Sequence, residues 1–362
     1  MKIVIISYVC FPNICPRSWR ATELAKEFAR NGHEVVLYAV LGKYNYSKFK
    51  DETHVNIKNL GKLFLTTETS DGRGEKLNLG GRIINYCFGK LFWLPERELV
   101  PKVKDAIKKE GNIDCLITIA FPHIIHYATS LSDLQHVHTW IADCGDPFTL
   151  NPMTHFPPYY KKYEERWCEK CDFITVPIED ARNGYYPQYR SKIKVIPQGF
   201  DFSKNKICEY SKNKILTFAY AGITYKGTRD PTAFLKYLNS CSYDFRFFVY
   251  GRFSIFEDYK NILGNKLIYK GNIPREQLIT ELSQMDFLIN IKNTSGVQQP
   301  SKLIDYKISN RPILTISSNF DNEEKQIFCE FLHGNYEHQQ IVNNIEQYNI
   351  INVANEFLKL VK

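Results

Sequence analysis

In the stretch QQPSKLIDYKISNRPIL, Ser301 and Asp305 stand four residues apart with Lys302 between them, just after Pro300. Proline is well placed in a first helical turn, where its missing N–H would lack a partner anyway. The free N–H groups of Ser301, Lys302 and Leu303 would then face the preceding loop and favour an anion. Asp305 would lie on the same face, about 5 to 6 Å further along the axis, where a carboxylate can accept hydroxyl hydrogens. That step matches the one from a diphosphate to the ribose of a nucleotide. The competing reading is a solvated surface pair of Lys302 and Asp305, worth roughly 0.3 kcal/mol.

Other groups capable of chemistry are scattered along the chain. YAGITYKGTRDP carries Gly222, Lys226 and Arg229, and FFVYGR ends in Arg252. A guanidinium at Arg229 can hold a diphosphate bidentately, with a loop pair to Asp230 as its alternative. Asp143 and Asp146 close the run WIADCGDP, where they can bind hydroxyls, act as a base, or cap the turn before Pro147. His123 and His126 follow another apolar run, and Arg17 and Arg20 open the first helical segment. No metal site is expected: Cys168 and Cys171 form a lone C-x-x-C, read as two packed thiols at a helix-to-strand junction, and no Asp-x-Asp occurs. Neither Gly-x-Gly-x-x-Gly nor a P-loop is present, which argues against a dinucleotide oxidoreductase and a nucleoside triphosphatase.

The elements that must position these residues are legible from periodicity. KIVIISYV, a loop, RATELAKEFARNGHEVVLYAV and their successors alternate buried strands with amphipathic helices, the signature of a parallel sheet covered by helices. The pattern restarts at ILTFAYAGI, so two consecutive Rossmann-like arrays are expected, with the binding site in the cleft between them. The expected domains are 1–200 and 201–345, with 346–362 a C-terminal helix returning to the first domain. The segment GGRIINYCFGKLFWLPER reads as a packed connector, with a peripheral membrane contact as its alternative.

Composition agrees. At 362 residues, 44% hydrophobic and 14% aromatic, the chain can fill two cores. The net charge of +8 favours anionic partners, but no zinc-finger spacing or arginine-rich arm points to nucleic acid. Ten cysteines in apolar contexts, behind a first apolar run that reads as a strand, place the expected location in a reducing cytoplasm. No apolar run approaches the length of a membrane span.

Taken in order, QQPSKLIDYKISNRPIL, KVIPQGFD, WIADCGDPF, YAGITYKGTRDP and the N-terminal loop-helix-strand resemble GT-B glycosyltransferases, especially glycosyltransferase family 4. The resemblance implies an α/β GT-B fold, two doubly wound parallel-sheet domains facing a cleft. It implies transfer of a sugar from a nucleotide-diphosphate sugar to a glycan or lipid-linked oligosaccharide. Retention of configuration is implied too, without metal or cofactor, in the cytoplasm or at the inner face of its membrane. Asp305 stands where the family's ribose-contacting glutamate falls. Val297 replaces the sugar-contacting glutamate, leaving Gln298 or Gln299 to substitute. Arg229 occupies the place of the phosphate-clamping lysine, with Lys226 as rival, and Lys302 or Arg252 completes the clamp. Arg17 and Arg20 line the cleft loop, and His126, or else His123, is the cleft histidine. A non-catalytic nucleotide-sugar or glycan-binding protein, or a GT-B epimerase, is the alternative.

Overall fold

The continuous apolar runs become strands buried on both faces, as parallel strands are when helices cover the sheet. The computed structural model describes residues 1–362 except 66–67, 73–78, 153, 204, 253 and 293–301, and except the side chains at positions 87, 90 and 254. It divides into two compact units, Met1–Asp201 with Glu346–Lys362, and Phe202–Ile345.

Unit 1 contains, in order, β1 (Lys2–Ile6), α1 (Pro16–Arg30), β2 (Glu34–Ala39), α2 (Ser47–Thr53), β3 (Asn56–Asn59), α3 (Leu79–Phe92), α4 (Leu99–Glu110), β4 (Ile113–Ile119), α5 (Ile124–Ser130), β5 (Val137–Asp143), α6 (Tyr160–Lys170), β6 (Phe173–Val176) and β7 (Ile193–Val195). Its seven strands are ordered β3-β2-β1-β4-β5-β6-β7 and pair in parallel. Successive residues of β1 face opposite sides of the sheet. Val4 and Ile6 enter a core with Leu116, Trp140 and Trp167, whereas Ile3 and Ile5 meet Leu24 and Phe28 of α1.

Unit 2 contains β8 (Leu216–Ala221), α7 (Thr232–Ser240), β9 (Phe245–Tyr250), the short α8 (Ser254–Glu257) and α9 (Lys260–Leu263), β10 (Leu267–Gly271), α10 (Arg275–Leu282), β11 (Phe287–Ile291), α11 (Lys302–Ile308), β12 (Ile313–Ile316) and α12 (Asn322–Leu332). Its strand order is β10-β9-β8-β11-β12, again parallel. The last helix, α13 (Ile350–Leu358), belongs to unit 1: Ile350, Val353, Ala354 and Phe357 are buried in the core that holds α1. The architecture is α/β with two doubly wound sheets.

Cys168 and Cys171 are free, buried thiols at the end of α6, as the junction reading expects. The connector reading of the segment around α3 does not hold. Leu79, Ile83, Ile84 and Leu91 are exposed on that helix, because the residues turned toward the protein are small or polar, namely Gly81, Asn85 and Gly89. No described helix is long and apolar enough to cross a membrane.

Candidate functional site

In doubly wound sheets, ligands bind beyond the carboxyl ends of strands where the strand order reverses. In unit 2 that point lies between β8 and β11. Gly222, one residue past β8, has φ +141°, a left-handed value that favours glycine. Gly251, just past β9, has φ +117°, and a Cβ there would sit 2.3 Å from the Gly222 carbonyl oxygen, so both glycines let two loops approach. Lys302 opens α11 at this place. Its side chain is 8% exposed, its Nζ lies 4.6 Å from the Tyr220 ring centroid, and Nζ has no hydrogen-bond partner among the described residues. Burial, and then the charge of Arg229, hold Lys302 well below the ordinary lysine range. Arg229 donates from Nη1 to the Ile223 carbonyl at 3.1 Å. Its loop-pair alternative is not formed, since the Asp230 carboxylate instead accepts from Thr232 and from the Gly227 N–H. A buried amine and a guanidinium thus stand close enough for one to lower the other's pKa, an arrangement that an anion would stabilise.

Asp305 departs from the surface-pair reading of its stretch. It does not pair with Lys302. Arg275 Nε donates to Asp305 Oδ1 at 2.8 Å, and Nη2 lies 2.6 Å from the same oxygen. Burial pushes the carboxyl up, with Arg275 opposing. Tyr306 fixes α11 against the sheet: its hydroxyl accepts from the Ala221 N–H at 2.7 Å and donates to the Ile289 carbonyl at 3.0 Å. Arg275 and Tyr220 were missed by sequence reasoning, because the Arg275–Asp305 contact spans 30 residues and no local pattern marks it. Leu303 is half-buried, whereas Lys226 and Arg252 are exposed. The expectations placed on Val297, Gln298, Gln299, Pro300 and Ser301 lie outside the described residues.

In unit 1 the strand order reverses between β1 and β4, and a cavity of about 520 Å³ lies there. It is lined by Tyr8 and Val9 after β1, Arg17 of α1, Phe121 and His123 after β4, Gly145 and Asp146 after β5, and Glu68. Asp146 is exposed and makes no ion pair among the described residues. Asp143, three residues earlier, plays another part and is corrected as a substrate contact. It is fully buried, receives Arg20 Nη2 at 2.8 Å, Arg17 Nη1 at 3.0 Å and the Thr175 hydroxyl at 2.7 Å. Burial alone would raise its carboxyl, but Arg20 and Arg17 hold it below the usual range. Arg20 is likewise interior: it also donates to the Ile196 and Pro197 carbonyls and lies over the Phe357 ring. The Asp143–Arg20 pair therefore welds β5, α1 and α13, and leaves Arg17 as the guanidinium that reaches the cavity.

The two histidines exchange roles. His126 has no exposed surface, so it cannot touch a ligand in the cavity. The Thr118 hydroxyl accepts from Trp140 Nε1 at 2.8 Å and shares a hydrogen bond with His126 Nδ1 at 2.7 Å, and His126 Nε2 shares one with Cys144 Sγ at 3.4 Å. Burial pulls His126 down to about 3, with Asp143 opposing. His123 lines the cavity at 4% exposure and its buried Nδ1 has no partner among the described residues. Among the described residues, His123, His126 and Cys144 are the group whose ligand atoms lie within 4.8 Å of one another. Two of the three are already engaged with each other, as a core hydrogen-bond chain.

No protein-family profile and no curated protein sequence matches this chain. Solved structures do. The lipopolysaccharide outer core galactosyltransferase WaaB in its apo form superposes with a TM-score of 0.62 at 12% identity, over 100% of this chain and 99% of its own. A glycosyltransferase from Rickettsia africae gives 0.63 at 13% identity, over 100% and 98%. Anabaena HepE in complex with UDP-glucose gives 0.61 at 9% identity, over 99% and 98%. The chain therefore has the GT-B fold along its whole length.

Proposed function

We propose that the chain is a glycosyltransferase, of the family 4 type, that moves a sugar from a nucleotide-diphosphate donor to a glycan or lipid-linked acceptor. The observation that carries this reading is the buried amino group of Lys302, without a hydrogen-bond partner among the described residues and beside Arg229, at the strand-order reversal of unit 2. A diphosphate supplies the missing partner and restores the lysine's charge. Asp305, whose Oδ1 is held by Arg275, contacts the ribose through Oδ2, and Lys226 or Arg252 reaches the phosphates from the exposed rim. The acceptor occupies the cavity of unit 1, where Arg17 orients it and Asp146 or His123 handles the proton of its hydroxyl. Reaction without metal and with retention of configuration is the form we favour, given the absence of Asp-x-Asp from the sequence and the presence of two cations where diphosphate charge develops.

The likeness to HepE, solved with UDP-glucose, makes UDP-sugars the first probes. Incubation with UDP-glucose, UDP-galactose and UDP-N-acetylglucosamine should release UDP, and UDP should raise the melting temperature. If none of a wider panel of nucleotides shifts the melting temperature, the donor site is refuted. Nucleotide binding without release of diphosphate in the presence of glycan acceptors would identify a binding protein instead.

A further inference from the structure

Helix α3 turns its apolar side away from the protein. Gly81, Asn85 and Gly89 recur every four residues and so share one face. This face points inward: Gly81 is buried, the Asn85 amide donates to the Leu65 carbonyl at 2.6 Å, and Gly89 is half-buried. On the opposite side and its flanks stand Leu79, Ile83, Ile84, Tyr86 and Leu91, between 41% and 92% exposed. The helix is anchored to unit 1 by Trp93, the residue just past its last turn. The indole is buried among Tyr127, Phe148, Tyr160 and Tyr163, with ring centroids 4.9 to 5.9 Å away. A soluble surface rarely leaves so many large apolar side chains together in water.

Charge indicates the partner that covers them. The 14 residues of α3 include Arg82 and Lys90 and no acid, and Arg97 is exposed just beyond. The two acids that follow Trp93 are turned away or muted. Glu98 accepts the N–H groups of Phe64 and Leu65 at 2.7 and 2.8 Å, and burial pushes Glu96 up. At 1.5 Å per residue the helix is about 21 Å long, too short to span a bilayer but suited to lying in its surface. Cations interleaved with aliphatic and aromatic side chains are the composition of an interfacial helix.

We propose that α3 docks unit 1 on an anionic lipid bilayer, with Ile83, Ile84 and Leu91 entering the acyl boundary and Arg82 meeting lipid phosphates. This surface is separate from the nucleotide site and stands without it. The test is co-sedimentation of the full chain with vesicles of phosphatidylethanolamine containing about a quarter phosphatidylglycerol, against vesicles of phosphatidylcholine alone. The chain should bind the anionic vesicles preferentially, and the double variant Ile83→Asp, Leu91→Asp should bind about tenfold less, with an unchanged melting temperature because both positions are exposed. Arg82→Glu should weaken binding at low salt and much less at high salt. UDP binding by these variants, measured in parallel, should be unaltered, so a failure of the nucleotide reading leaves this result distinct. Equal binding by the double variant, equal binding to both vesicle types, or binding to neither overturns the proposal. So does a wild-type dimer that the double variant converts to monomer, which would assign the face to a second copy of the chain.

Discussion

Lys302 is the residue on which the donor reading turns, and its pH dependence has a definite sign. Burial and Arg229 lower its folded-state pKa, so the unliganded protein holds fewer protons there than the unfolded chain, whereas a bound diphosphate favours the charged form. UDP binding should therefore take up a proton, and its affinity should fall as pH rises above the lowered pKa. Calorimetric titration in buffers of different ionisation enthalpy measures the uptake. Lys302→Met should abolish it and weaken UDP binding roughly 10- to 100-fold. The two acids of WIADCGDP should separate cleanly. Asp143→Ala leaves the buried Arg20 guanidinium without its partner and should cost about 3 to 5 kcal/mol of unit 1 stability in denaturant unfolding. Asp146→Asn should cost no more than about 0.5 kcal/mol while impairing transfer. Sequence alone marked both acids as occupants of a strand's C-terminal end but could not rank them, because burial depends on which arginines the fold brings to each. The same holds for Lys302 and Asp305, whose surface-pair reading failed once Arg275 took the carboxylate.

At the scale of elements, Gly251 and Glu164 test how the helices and loops hold the sites. Gly251→Ala should displace the Gly222 loop, since the added carbon would meet backbone and its φ is left-handed; UDP affinity should drop while unit 1 keeps its stability. Glu164 of α6 is fully buried, accepts the Thr149 N–H and hydroxyl, and is pushed by burial from 4.5 to about 7. A raised acid stabilises the fold below its unfolded pKa, and that contribution is lost as pH climbs toward 7. Glu164→Gln should thus flatten the melting-temperature profile between those two values. Element types were largely legible, because period 2 and period 3.6 repeat clearly along the chain. The direction of α3 was not. Its apolar pattern is present in the sequence, but which side meets the protein was settled by the burial of Gly81 and by Asn85 against the Leu65 carbonyl.

At the scale of the molecule, unit 1 is closed by a helix from the far end of the chain. Truncation after Ile345 would uncover the pocket that receives Ile350, Val353 and Phe357, each worth roughly 2 kcal/mol of buried apolar surface, and would strip the ring from over Arg20. Unit 1 should melt earlier in scanning calorimetry, with the unit 2 transition unmoved and still raised by UDP. The alternation of buried strands and amphipathic helices by itself determined the α/β class, the restart near residue 216 and the glycine-marked loops, since these follow from local periodicity and backbone sterics. Only the tertiary structure decided that His123 rather than His126 faces a cavity, that Arg20 is a buried weld while Arg17 also lines the cavity, that Lys302 Nζ lacks a hydrogen-bond partner among the described residues and that α3 faces outward. The physical reason is the same in each case: burial, charge pairing and the direction of a helix face are set by residues tens or hundreds of positions away, brought together when the sheets assemble.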